Sequence, residues 1–229
     1  SFSFAGGNWA TPIQGLSVSG YWGQYEDAWN TWYLGGFYKR AVADKQSLSL
    51  SLNLYRNTDT GQAKAGQVDN TTWSLMTSYA AGHHKLGLGY QKVDGDTPFD
   101  YVNRGSIWLE NAMQLSDFNA PHEASWQLRY DVDLGQLLTP GLSAGVAYTR
   151  GSGIDYRHAG AIYNGFLGTS AAGGKHWERD MIVRYTVQNG HAKGLALQLR
   201  WSMHRANAAQ GEPNVNQVRL LAEMPVRVF

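Results

Sequence analysis

Apolar and polar residues alternate along most of this chain with a period of two. Between Lys45 and Asn57, Leu48, Leu50, Leu52 and Leu54 alternate with Ser47, Ser49, Ser51 and Asn53. Leu197, Leu199, Trp201 and Met203 alternate with Gln198, Arg200 and Ser202. Trp126, Leu128, Tyr130 and Val132 do the same with Gln127, Arg129 and Asp131. Successive side chains of a strand point to opposite faces, so each stretch has one apolar and one polar face. The pattern predicts eleven strands, near 1–9, 14–25, 29–39, 45–57, 70–80, 83–93, 123–133, 142–150, 177–187, 193–205 and 214–228. Most run about ten residues, the length a tilted strand needs to cross a bilayer. No amphipathic helix of useful length competes with this reading.

The links between these stretches are of two kinds. Thr11 to Gln14, Val42 to Asp44, Ala81-Gly82, Gly135 to Pro140 and Asn189-Gly190 are short and turn-like. The segments 58–69, 94–122, 151–176 and 206–213 are longer, polar or rich in glycine. Short turns on one side and long loops on the other are the habit of outer-membrane barrels. Tyr21, Trp22, Tyr25, Trp29, Trp32 and Tyr33 gather near strand ends, which reads as an aromatic girdle at a water–lipid boundary.

Composition narrows the class. The chain has 229 residues and no cysteine, so a disulfide framework, a thiolate zinc site and a cysteine nucleophile are excluded. The formal charge is +1, which gives no global reason to expect nucleic acid. Aromatic residues at 13% exclude disorder. A mean hydropathy of −0.40 reads as soluble, and no run approaches the roughly 20 apolar residues of a membrane helix. Ser1 to Gly7 does not resemble a signal peptide. A transmembrane β-barrel survives this filter, because it hides its apolar surface in alternate residues.

Parity alone does not say which face is inside. A soluble barrel turns its apolar face inward, and a membrane barrel turns it to lipid. Two features favour the membrane. Strand after strand has an apolar face with no charge in mid-span, and the chain ends on Val226-Arg227-Val228-Phe229, a terminal strand closed by an aromatic residue. Single-chain bacterial barrels have even strand numbers. An odd count and an opening inside a strand-like stretch lead to the expectation of one domain over 1–229 that lacks the N-terminal strands of a larger barrel.

Several stretches resemble the OprD (Occ) family of substrate-specific outer-membrane channels. They are Leu86-Gly87-Leu88-Gly89-Tyr90-Gln91-Lys92-Val93-Asp94-Gly95-Asp96-Thr97, Ser125-Trp126-Gln127-Leu128-Arg129-Tyr130-Asp131-Val132-Asp133 and Trp177-Glu178-Arg179-Asp180. Tyr21 to Asp27 and Asn216 to Leu220 add to them. The resemblance runs over most of the chain and covers the C-terminal part of the family's pattern. It implies an all-β, antiparallel, up-and-down transmembrane barrel of eighteen strands, entered here at about the eighth. It also implies a porin of the bacterial outer membrane that lets small carboxylate-bearing solutes cross by facilitated diffusion, with no catalysis and no cofactor. Its surroundings are outer-membrane lipid and lipopolysaccharide, and the barrel insertion machinery is an expected partner. Whether the pores form homotrimers stays open.

In that family a ladder of basic side chains guides the anion. Arg184, Arg200 and Arg219 lie on the polar parity of three consecutive strands, and Arg129 shares that parity further round the wall. A guanidinium is always charged and offers a planar fork to a carboxylate. Repeated weak sites of this kind suit conduction. The competing reading pairs each arginine with a wall acid such as Asp131, Asp180 or Glu223. Loop 94–122 corresponds to a loop that folds inward in the family, and Asp94, Asp96, Asp100 and Arg104 are its charged constriction candidates. A solvated surface loop is the plainer alternative.

Other signals carry less. Gly141 to Gly145 matches G-x-S-x-G, but a proline turn precedes it and a strand follows, which is the wrong setting for a nucleophile. His83-His84 sits beside a turn, and His122-Glu123 and His176-Trp177-Glu178 lack the helical second histidine of a zinc hydrolase, so no metal site is expected. Lys64, Lys85 and Lys92 form no basic patch. An outer-membrane barrel enzyme or adhesin, or a soluble ligand-binding β-barrel, is the alternative function class.

Overall fold

The computed structural model describes residues 1–100, 107–167 and 171–225, with the side chains of 164–167 left aside. Eleven strands follow one another: β1 Phe2–Ala10, β2 Leu16–Tyr25, β3 Trp29–Ala43, β4 Gln46–Asp59, β5 Asp69–Ala81, β6 His84–Asp94, β7 Ala124–Asp133, β8 Leu142–Asp155, β9 Ala172–Thr186, β10 Ala196–Ala206 and β11 Val215–Glu223. One short helix, α1 Gly160–Leu167, lies between β8 and β9. Each strand pairs antiparallel with the next, giving a single sheet in the order β1 to β11. Among the described residues β1 and β11 are its two edges, and the sheet does not close on itself.

All eleven predicted strands are present. The largest boundary change is at the predicted loop 151–176, which narrows because β8 runs on to Asp155 and β9 begins at Ala172. Gly151, Gly153, Gly173 and Gly174 erase the alternation there, and register shifts at 152–155 break the parity that a sequence count relies on. The links 11–15, 44–45, 82–83, 134–141 and 187–195 gather at one end of the sheet, here the turn end, and the three-residue link 26–28 lies at the opposite end. At Gly82 the β5–β6 turn takes a φ of 57°, which glycine adopts without strain. The links 60–68, 95–123, 156–171 and 207–214 gather at the other, the loop end.

Burial settles the question that parity leaves open. Leu52, Leu54, Leu75, Leu86, Leu88 and Leu128 are exposed, Leu88 at 61%. On the opposite face Asn53, Asn57, Ser74, Gln91, Gln127 and Glu178 are buried. A soluble barrel has the reverse arrangement, with its apolar side chains withdrawn from solvent. The apolar band here faces outward, as in a transmembrane barrel. No helix among the described residues is long and apolar enough to cross a membrane.

Two details correct the sequence reading. Of the six aromatics assigned to the girdle, Trp22 and Trp32 pair on the apolar face, with ring centroids 6.1 Å apart. Tyr21 and Tyr33 lie on the polar face, against Trp108 at 6.0 and 4.8 Å, and Tyr25 and Trp29 share their parity. Alternation separates neighbours that look like one cluster in sequence. The apolar face also carries charge at its loop end. Arg179 occupies the apolar parity of β9 with its guanidinium 5.4 Å from the Trp201 ring centroid, and Arg150 pairs with Trp177 in the register. A long arginine stem can lie along an apolar surface while its head reaches a polar layer. The terminal Val226 to Phe229 lies outside the described residues.

Candidate functional site

The polar face is covered over its loop-end half by the connection between β6 and β7. Residues 107–123 are held there by backbone groups bonded to wall side chains. The Tyr55 hydroxyl accepts from Trp108 N–H at 3.0 Å, and Ser74 Oγ accepts from Glu110 N–H at 3.1 Å. Gln91 Oε1 accepts from Asn111 N–H at 3.1 Å, while its Nε2 donates to the carbonyls of Asp117 and Phe118 at 2.9 and 2.8 Å. Glu178 takes two backbone N–H groups, Leu115 at 2.8 Å and Ser116 at 2.9 Å. A backbone with no ladder of its own needs such partners when it is buried.

Small residues make room for this segment. Gly87 and Gly89 occupy the polar parity of β6, and a Cβ on Gly89 would collide with Asn111 Oδ1 and with the Met76 side chain. An aromatic cluster of Tyr33, Tyr55, Phe99 and Trp108 packs the other flank, with centroid separations of 4.7–4.8 Å.

The predicted constriction charges lie elsewhere. Asp94 ends β6 and sits 3.6 Å from Lys92 Nζ, and Asp96 meets His122 Nε2 at 2.8 Å, so both stand at the neck of the loop. Asp100 faces Tyr163 of α1, whose phenol is pushed up by burial and by that carboxylate. Arg104 lies outside the described residues. The loop groups that reach the arginine wall are Glu110, Met113 and Gln114, which line a cleft of about 220 Å³ with Arg129, Asp180 and Arg200. Their type gave no signal in sequence, because one glutamine in a polar loop looks like any other.

Register arranges the four arginines. Arg200 stands directly opposite Arg219 across the β10–β11 pair, and Ile182 flanks Arg200 on β9. Arg184 lies one rung toward the turn end, opposite Gln198, and Arg129 belongs to the rung toward the loop end, in line with Ala147 and Asp180. Three successive rungs therefore carry a guanidinium. Their partners differ. Arg129 is held by Asp131 at 2.8 Å and Arg184 by Glu223 at 3.1 Å. Arg200 meets only the neutral amide of Gln114, and its buried Nε makes no hydrogen bond. Among the described residues neither Arg200 nor Arg219 has a carboxylate within ion-pair distance. Like charges directly opposite on a sheet repel, so this pair favours an anion between its forks. A cleft of about 480 Å³ opens beside it, lined by Arg129, Asp131, Arg184, Gln198 and Arg200.

Comparison with known proteins identifies the family. Residues 1–228 match the model of the outer membrane porin, OprD family. Porin D of Pseudomonas aeruginosa is 41% identical over 239 aligned residues, which cover all of this chain and 54% of that protein. The chain thus spans about half the length of this relative. A crystal structure of Pseudomonas aeruginosa OprD superposes with a TM-score of 0.92 at 42% identity, covering all of this chain and 61% of that one. The structure of OpdK with vanillate, from the same organism, gives a TM-score of 0.87 at 31% identity, over 98% of this chain and 56% of that one. Matched over residues 1–228 in sequence and superposed along its whole length on a solved OprD, the chain belongs to the OprD family of outer membrane porins.

Proposed function

We propose that this chain forms the arginine-bearing wall and the inward loop of a substrate-selective channel for small carboxylate-bearing solutes. The observation that carries the reading is the Arg200–Arg219 pair, two guanidinium groups in register with no carboxylate at ion-pair distance among the described residues. An anion passing there neutralises a repulsion instead of displacing an ion pair. Arg129 and Arg184, already partnered, add field without a free fork. The relative OpdK was solved with vanillate, an aromatic carboxylate, which supports this substrate class. The open edges of β1 and β11 belong to the same proposal. Unpaired backbone groups cannot face hydrocarbon, so in the bilayer both edges pair with further strands of a larger, closed barrel.

The test uses the intact porin in planar bilayers. Replacing Arg200 and Arg219 together by Ala shifts the reversal potential toward cation selectivity. It also lowers vanillate flux roughly tenfold relative to a neutral solute of similar size, the order expected for losing a charge-assisted hydrogen bond of about 1.5 kcal/mol. Unchanged anion preference and flux would refute the proposal.

A further inference from the structure

We propose that His176, His204 and Glu212 form a binding site for one zinc-like divalent cation at the loop end of the lumen wall. No spacing in the sequence announces it. His176 is on β9 and His204 on β10, diagonal neighbours on the polar face, and Glu212 comes from the β10–β11 connection. The three ligand atoms form a nearly equilateral triangle. His176 Nδ1 lies 2.9 Å from His204 Nε2, and Glu212 Oε2 lies 3.3 Å from the first and 3.2 Å from the second.

The partners on the far side of each ring fix where the protons are. His176 Nε2 is 2.6 Å from Glu123 Oε1, and an ionised carboxylate only accepts, so this nitrogen carries the hydrogen. His204 Nδ1 is 2.9 Å from the carbonyl of Pro213, which also only accepts, so the hydrogen is again on the outer nitrogen. With the hydrogens on these outer nitrogens, each ring in its neutral form turns the lone pair of its inner nitrogen toward the other, which is the form that ligates a metal. Glu212 Oε2, the third ligand atom, is buried and faces both of these nitrogens. Three potential ligand atoms converge here, two of them on imidazoles whose side chains are 1% and 2% exposed. So close a packing of two imidazoles and a carboxylate is held by a positive charge between them, and a metal ion supplies it with a bond to each.

The spacing selects a metal ion. An ion with bonds of about 2.0–2.1 Å in tetrahedral geometry holds its ligands about 3.3 Å apart, and the observed separations are 2.9–3.3 Å. Two imidazoles and one carboxylate suit a borderline divalent ion of the zinc type. The outer shell is also in place, with a carboxylate behind one histidine and a backbone carbonyl behind the other. Phe118 covers His176, with centroids 4.2 Å apart. The ion would tie the 207–214 connection to β9 and β10. Through Glu123, which also accepts from Ala120 N–H at 3.0 Å, it would brace the returning limb of the inward loop.

The experiment uses the intact porin in detergent, stripped with a chelator and titrated with Zn²⁺ by calorimetry and with Co²⁺ by visible absorption. One Zn²⁺ binds per chain, and Co²⁺ gives the intense bands of a four-coordinate site. Glu212→Gln, a change in a surface connection that leaves the strands intact, loses both signals by a hundredfold or more in affinity. Glu123→Gln keeps the stoichiometry and weakens binding by roughly 10–100-fold, as expected of a group that orients a ligand. If the folded wild-type porin takes up no more Zn²⁺ than folded Glu212→Gln, the triangle holds a shared proton and the proposal fails.

Discussion

The two halves of the polar face share one alternation and differ in chemistry. Under residues 107–123, toward the loop end, the inward side chains include the buried amides and hydroxyls of Asn53, Ser74, Gln91, Ser125 and Gln127, with Glu178 among them. Toward the turn end Arg129, Arg184 and Arg200 line a cleft with Asp131 and Gln198, and Arg219 stands opposite Arg200. A wall that receives a peptide segment needs groups that both donate and accept, because backbone N–H and C=O arrive together. The wall proposed to meet a passing anion needs fixed positive charge, which among these four only Arg200 and Arg219 carry without an acid partner among the described residues. The functional boundary is the line between them, where Gln114 of the loop touches Arg200 of the wall.

Breaking the covered half has the largest expected effect. Glu178 accepts two backbone N–H groups of the loop from a buried position. Glu178→Ala removes two buried hydrogen bonds of about 1 kcal/mol each and leaves the Leu115 and Ser116 donors without this acceptor. The loop then leaves its seat, and single-channel conductance rises with the strand signal in circular dichroism unchanged. Unaltered conductance would show that the seat does not depend on this clamp.

Filling the seat is the next largest. Gly89→Val directs a branched side chain at Asn111 and Met76, where a Cβ alone already collides. Overpacking of this kind costs about 1–3 kcal/mol. Lifting of the Asn111 segment should appear as faster proteolysis within 107–123 and a wider pore. Gly82→Val, whose glycine has nothing within reach of a Cβ but a positive φ, serves as a control that strains a turn and leaves the loop seated.

The contrast between the halves was only partly legible in the sequence. Period-two alternation gave all eleven strands, because it reports which face each residue takes, whatever lies beyond that face. It could not say what covers the face. Leu115 and Glu178 are 63 residues apart, and nothing local marks a glutamate as a clamp for a distant backbone. Arginine parity was readable, but the pairing of Arg200 with Arg219 instead of an acid depends on register, which alternation leaves free by steps of two. The triangle of His176, His204 and Glu212 was hidden for the same reason. Its histidines are 28 residues apart and meet only because of one strand pairing. The Gly-rich ends of β8 and β9 show the opposite failure, where missing side chains erased a strand that the backbone still forms.

The smallest expected effect sharpens the boundary itself. Gln114 holds Arg200 through a neutral amide oxygen, so it orders the guanidinium without cancelling its charge. Gln114→Ala frees that fork, and Gln114→Glu gives it an ion pair like the one Glu223 already makes with Arg184. The two changes act on one contact with opposite sign for a passing carboxylate. Stability should move by less than about 1 kcal/mol in each case, since the contact is at the cleft and the loop keeps its other anchors. In bilayers, Gln114→Ala should leave anion selectivity intact and lengthen vanillate dwell times by a few-fold. Gln114→Glu should shorten them by a similar factor and move the reversal potential toward cations. Glutamate and glutamine are nearly the same size, so a difference between wild type and Gln114→Glu cannot come from pore width. If Gln114→Ala and Gln114→Glu shift dwell time in the same direction, the loop acts at this point by shape, and the charge of Arg200 is not what the solute reads.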